Sequence, residues 1–256
     1  MSRTRKALLA AALLACCAAG ARAQSGAVRR APAPSPEGGV AQPQTTPAPT
    51  EGAALAAERA CADAEAAAAA GRDSEALDAY GRALKLYLGL LDRDRPPVPR
   101  PLTAPEAAAF REAMRARMSR VPECAEGYLR LARGAAASER AQAEALRGQA
   151  LMLREADESR TVFLGPELDA RAHIEYKTEP GYTEEARRNR VRGRVRVRAV
   201  LASDGTVKHV LVLKGLPHGL SEQAVSAALR TRFTPALKNG HPVSQFVTLE
   251  YGFETY

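Results

Sequence analysis

The sequence predicts an all-α helical domain followed by an α+β domain, in which a three-stranded antiparallel sheet carries helices on one face. Three observations lead there. Apolar residues recur with a helical period between residues 53 and 158. From Arg194 to Leu201 the period drops to two, with Val195, Val197, Ala199 and Leu201 alternating with arginines. Turn signals then punctuate the remainder, at Ser203-Asp204-Gly205 and at Asn239-Gly240. With 256 residues, 46% of them hydrophobic, the chain is long enough to bury a core.

The first 23 residues read as a secretory signal. Arg3, Arg5 and Lys6 make a basic start, Ala7 to Ala21 is uncharged, and Ala21-Arg22-Ala23 puts small side chains where a signal peptidase reads. Leu13-Leu14-Ala15-Cys16 resembles a lipobox, so a lipidated Cys16 would instead tether the chain to a membrane leaflet. An uncleaved anchor is a third reading, though the apolar run is short. In the first two cases the mature protein works outside the cytoplasm. Beyond residue 23 no apolar run reaches the roughly 18–20 residues that span a bilayer. Residues 24–51 are read as an extended tether, because Ser25 to Thr50 holds six prolines and almost no large apolar side chain.

Helices follow, over residues 52–158. Ala53 to Ala70 has 12 alanines in 18 residues, and Gly71 stops it. Asp73 is placed as N-cap of a second helix to about Leu91, with Ala76, Leu77, Tyr80, Ala83, Leu84 and Tyr87 as its buried stripe. The spacing of Gly71, Ala76, Tyr80 and Ala83 resembles the second half of one tetratricopeptide repeat, with Leu88 where that repeat usually has proline. The alternative is a plain helical hairpin. A proline-rich loop covers Arg95 to Pro105, and Thr103 with Glu106 has the spacing of a capping box for a third helix to about Arg120. Pro122 breaks that helix, and one or two more run to Glu158 with Leu129, Leu146, Leu151 and Leu153 as apolar positions.

Residues 160–256 form the α+β part. Thr183 caps a short helix, Val207 to Leu213 is a second strand, Ser221 caps a helix buried through Ala224, Val225, Ala228 and Leu229, and Val243 to Phe253 is the last strand. This part carries 15 basic against 10 acidic residues, whereas residues 24–159 carry 18 against 19, so any field that attracts anions originates here.

The order and spacing of these residues resemble the TonB C-terminal domain family. The match runs through Pro180-Gly181-Tyr182-Thr183-Glu184-Glu185-Ala186-Arg187, Val191, Gly193, Val195 and Val197, and then Asp204-Gly205 and Val207. It continues through Gly219-Leu220, Ala224, Arg232-Phe233, Pro235-Ala236, Asn239-Gly240 and Pro242-Val243. Thr183 stands where the family usually has proline. The resemblance implies a periplasmic module that docks an outer-membrane TonB-dependent receptor by strand addition to its edge strand. That strand maps here to Ser244, Gln245, Phe246, Val247, Thr248, Leu249, Glu250 and Tyr251. Members coupled to an ExbB/ExbD motor carry an uncleaved membrane helix, usually with a histidine. The first histidine here is His173, which points to an adaptor rather than an energy transducer.

The remaining candidates are weighed on chemistry. Seven arginines fall in the 12 residues 187–198, and Arg192, Arg194, Arg196 and Arg198 are read either as a patch for an anionic partner or as a solvated strand face. Cys61 and Cys124 form a disulfide or remain two buried thiols. His173, His209, His218 and His241 lack metal-ligand spacing and are placed at the surface or in turns, and no metal is expected. No catalytic or nucleotide-binding motif occurs, so neither an enzyme nor a cofactor is expected. The arginines lack interleaved aromatics, which disfavours nucleic acid. The leading reading is an exported adaptor for outer-membrane transporters. The alternative is a cell-envelope scaffold whose helical domain recruits an unknown protein.

Overall fold

Alanine spacing shapes the first helical pair of the computed structural model, which describes residues 49–93 and 101–254. The signal segment, Cys16 and the tether up to residue 48 lie outside the described residues. Helix α1 (Pro49–Ala69) begins before the predicted end of the tether, and a short turn at Gly71 joins it to α2 (Asp73–Arg93). Ala57, Cys61, Ala64 and Ala67 are its buried face, at the spacing of one helical stripe. Against it α2 buries Ala76, Tyr80, Ala83, Leu84 and Tyr87, as the periodicity predicts. Asp73 lies within the first turn rather than at the cap.

Helices α3 (Ala104–Arg117), α4 (Val121–Leu131) and α5 (Ala137–Arg154) complete the bundle. The Glu106 carboxylate accepts from Thr103 N at 2.8 Å and starts α3 where the capping-box spacing placed it. Pro122 is the second residue of α4, a position that needs no N–H, so it opens a helix as well as ending one. Leu151, predicted as an apolar contact, is exposed on α5.

Gly127 lets α4 approach α2. An ideal Cβ there would lie 2.3 Å from Tyr80 Cζ, inside the buried phenol ring. Gly127→Ala is therefore expected to destabilise the fold, although alanine is the better helix former. Overpacking of about 1–3 kcal/mol outweighs a propensity gain of about 1 kcal/mol, which a urea-denaturation midpoint would record.

The sheet differs from the prediction in size and in coverage. Its central strands are β3 (Gly193–Leu201), β4 (Val207–Lys214) and β7 (His241–Phe253), the three that were expected. Two short strands extend it to five. β1 (Val162–Phe163) runs parallel to Ser244 and Gln245, and β6 (Ala236–Lys238) forms a hairpin with β7 through the Asn239-Gly240 turn. A separate pair joins β2 (His173–Tyr176) to β5 (Arg232–Thr234). These four strands hold two to four residues each, too few for an alternating pattern to register.

Both faces of the sheet carry helices, not one. On one face Val195, Val197, Ala199, Leu249 and Tyr251 pack with Leu220, Ala224, Ala227 and Ala228 of α7 (Leu220–Leu229) and Ala186 of α6 (Glu184–Arg188). On the other, Val200, Leu211 and Phe246 belong to the same core as the helical bundle. The change of period near residue 160 is thus a boundary in secondary structure but not in packing. Ser221 does not cap α7. Gly219 takes that position, and Ser221 Oγ donates to Leu216 O at 2.8 Å and accepts from Leu216 N at 2.9 Å. Leu229, placed in the buried stripe, is 52% exposed because the packed stripe runs through 220, 224, 227 and 228. Thr183 does cap α6, accepting from Ala186 N at 3.2 Å.

Helix α5 covers the outer edge of β4. Gln142 Oε1 accepts from Val212 N at 3.0 Å, while Gln149 Nε2 donates to His209 O at 2.7 Å and to Arg198 O at 3.2 Å. Gln142 thus meets an outward group of β4, whereas Gln149 reaches into the register shift between β3 and β4, where Arg198 O and His209 O lie within reach of one amide. A helix laid along an edge strand in this way blunts it as a template for another strand.

Candidate partner-docking edge

β7 has β3 on one side along nearly its whole length, from Leu201↔Gln245 to Gly193↔Phe253. Its other side is divided. Ser244 and Gln245 pair there with β1, whereas no strand among the described residues pairs with 246–253 there. Ser244 and Gln245 therefore leave the predicted docking segment. Both are buried beside Val162 and Phe163, Ser244 Oγ accepts from Ser203 N, and Gln245 Oε1 accepts from Ala172 N at 2.7 Å.

The direction of the free backbone groups follows from one bond. Lys177 Nζ donates to Glu250 O at 2.6 Å, so that carbonyl faces away from β3. Residues two apart in a strand share a side, which aims the N–H and C=O of Phe246, Thr248, Glu250 and Gly252 at the open edge. The odd-numbered residues 247, 249 and 251 bond β3. Thr248 and Gly252 are exposed, and the Lys177 ammonium also sits 4.5 Å from the centre of the Tyr251 ring. Sequence reasoning missed Lys177, because nothing local marks a side chain that reaches a strand 73 residues away.

A cavity of about 590 Å³ opens beside this edge, between the sheet and the helical bundle. Arg196, Arg198, Phe246, Thr248 and Glu250 line it from the sheet, Phe110 and Met114 from α3, and Pro166 and Arg171 from the segment after β1. Arg111 Nε braces that segment, donating to both oxygens of the nearly buried Glu167 at 2.9 and 3.1 Å.

The proposed anionic patch does not survive as a patch. Arg198 is 6% exposed, donates to Met114 Sδ at 3.0 Å and lies 3.9 Å from the centre of the Phe246 ring. Arg196 pairs with Asp92 at the end of α2, and Arg194 bonds Glu250 at 2.7 Å. The strand face that alternation marked as solvated is roofed by α2 and α3 at Arg196 and Arg198, while Arg192 and Arg194 stay exposed. The buried guanidinium of Arg198 is accommodated there by a ring face and a thioether.

Cys61 and Cys124, which sequence could not place relative to one another, meet as free buried thiols between α1 and α4. Among the histidines, His218 lies in a turn, as expected, with Nδ1 2.9 Å from Glu185 Oε1. His209 instead is half-buried, with its ring against α5 at Gly148 and its backbone in the left-handed region at a register shift of β4. Burial, with help from the charge of Lys208, lowers its pKa. Folding then excludes a proton that the unfolded chain accepts below about pH 6.5. Stability is expected to hold above that value and to fall as pH drops from it toward the folded pKa. Thermal midpoints should follow this course in the parent chain and lose that component in His209→Asn, whose asparagine tolerates the same backbone angle.

Against this geometry the comparisons with known proteins can be set. Residues 178–255 match the family model described as the Gram-negative bacterial TonB protein C-terminal. This segment is a TonB C-terminal domain. A search of solved structures finds the solution NMR structure of the Pseudomonas aeruginosa TonB C-terminal domain, 25% identical, covering 34% of this chain and 89% of that one with a TM-score of 0.30. No curated protein matches the chain. Residues that carry the TonB resemblance hold the entry to β3. Tyr182 Oη donates to Val191 O, and its ring meets Phe253 edge to face at 5.9 Å and 73°. Phe233 and Phe253 are buried, which fits packing rather than a ligand cage.

Proposed function

We propose that this chain is an exported, non-enzymatic adaptor of the cell envelope, whose TonB domain captures an extended segment of an outer-membrane transporter along residues 246–252 of β7. The observation that carries the reading is the contrast between the two sheet edges. α5 lies along β4 and its Gln142 occupies the outward Val212 N, while β7 keeps a stretch of outward N–H and C=O groups with no partner strand among the described residues. An incoming strand would continue where β1 stops, and alternate side chains would enter the cavity over Thr248 and Glu250. Lys177 shields the edge by occupying Glu250 O, and a partner N–H would replace its ammonium there. Three or four new bonds at a net ~1 kcal/mol each, less ordering costs, support weak and reversible capture. Such a contact suits a link that engages and releases. Coupling to an ExbB/ExbD motor is no part of this reading.

The test is an NMR titration of the intact chain with synthetic peptides spanning extended plug segments of outer-membrane transporters. Amide shifts and slowed exchange concentrated at 246–252 are the expected result. If the edge stays silent while the groove between α2 and α5, lined by Leu77, Arg82 and Leu146, responds to a partner, the scaffold reading takes over.

A further inference from the structure

We propose that Cys61 and Cys124 close to an intramolecular disulfide that staples α1 to α4. The two thiols come from helices whose contact is otherwise small. α1 buries only alanines beside Cys61, so its docked face offers little apolar area for its length. Cys61 lies midway along that face with its Sγ 3.9 Å from Glu65 Oε1, and it and Cys124 are both fully buried in one core cluster and free in this structure. Over them Arg120 Nη2 holds both oxygens of Glu65 at 2.7 and 2.8 Å, which ties the start of α4 to α1 a second time. The pair is chemically unequal. The neighbouring Cys124 thiol lowers the Cys61 pKa, with help from the Arg120 guanidinium, whereas Cys61 and burial raise that of Cys124. Both thiols are fully buried in the folded chain, so the exchange takes place while α1 and α4 are still closing over them.

The chemistry is thiol–disulfide exchange with an external disulfide as oxidant. The Cys61 thiolate attacks one sulfur of glutathione disulfide and expels one glutathione thiolate. The Cys124 thiolate then attacks Cys61 Sγ and expels the second. Two protein thiols lose two protons and two electrons, and one glutathione disulfide becomes two glutathione molecules. The bridge closes a loop that contains α2 and α3, so its stabilisation acts mainly on the unfolded chain. It also pins the helix next to the predicted tether, where a pull from the N-terminal side would otherwise peel α1 away.

The experiment refolds the intact, reduced chain in glutathione disulfide, alkylates it in denaturant and maps its peptides. We expect a Cys61–Cys124 peptide, no alkylation at either position, and a thermal midpoint above that of the reduced chain by about 4–12 °C. The midpoint of a Cys61→Ala/Cys124→Ala chain should ignore reductant. Full alkylation at both positions, a glutathione adduct persisting on Cys61, or bridges to Cys16 or Cys17 would overturn the proposal. The peptide map decides even if the double variant fails to fold.

Discussion

A Thr248→Pro chain is expected to lose capture of the partner strand while keeping its fold. Thr248 is exposed, and its N–H points away from β3, so the proline ring removes no bond of the β3–β7 ladder. It removes one outward donor and places ring carbons where the incoming backbone must lie. Losing one net bond of ~1 kcal/mol already costs several-fold in affinity, and the steric block should carry the loss beyond about tenfold. Leu249→Pro is the internal contrast. Leu249 is buried and faces Val197 across the ladder, so proline there breaks a central pairing and should unfold the domain. Titration with a plug-segment peptide, alongside circular dichroism of both variants, separates these outcomes. Unchanged affinity in a folded Thr248→Pro chain would remove β7 as the docking edge.

The second large effect concerns Gln149. Its side chain is 1% exposed and its Nε2 serves two backbone carbonyls, Arg198 O on β3 and His209 O on β4, at the register shift between those strands. Its own Oε1 has no hydrogen-bond partner among the described residues, so the position is used for its donor. Gln149→Leu keeps the volume and leaves both carbonyls unmet. At about 1–3 kcal/mol for each buried group left unsatisfied, the expected loss is about 2–5 kcal/mol, a large part of a typical folding free energy. Chemical denaturation measures it. A loss below about 1 kcal/mol would mean that solvent reaches the bulge and supplies the missing donors.

Gln149 also illustrates why parts of the fold could not be read in advance. The stripes of α2 and α7 and the turns at Gly71 and Asn239-Gly240 are written in residues a few positions apart, where local geometry links pattern to structure. Gln142 and Gln149 share a face of α5, but which backbone they meet depends on a strand 60 to 70 residues later. The arginines of β3 misled for the same reason. Alternation separates two strand faces, and it says nothing about which one a helix will roof. In Arg198 a cation sits where the rule of thumb places water. The thiols were legible as a pair of residue types, while their contact required α1 and α4 to pack.

By itself the sequence determined the helical and strand periods, the capped start of α6, the turns, and the order of motifs that the TonB family shares, because each is a short-range consequence of side-chain shape and backbone freedom. Only the tertiary structure decided that the helices cover both sheet faces, that α5 lies along β4, and that β7 has no partner strand past Gln245 among the described residues. An edge is free or filled according to what packs beside it, and that neighbour is chosen by burial of the whole core.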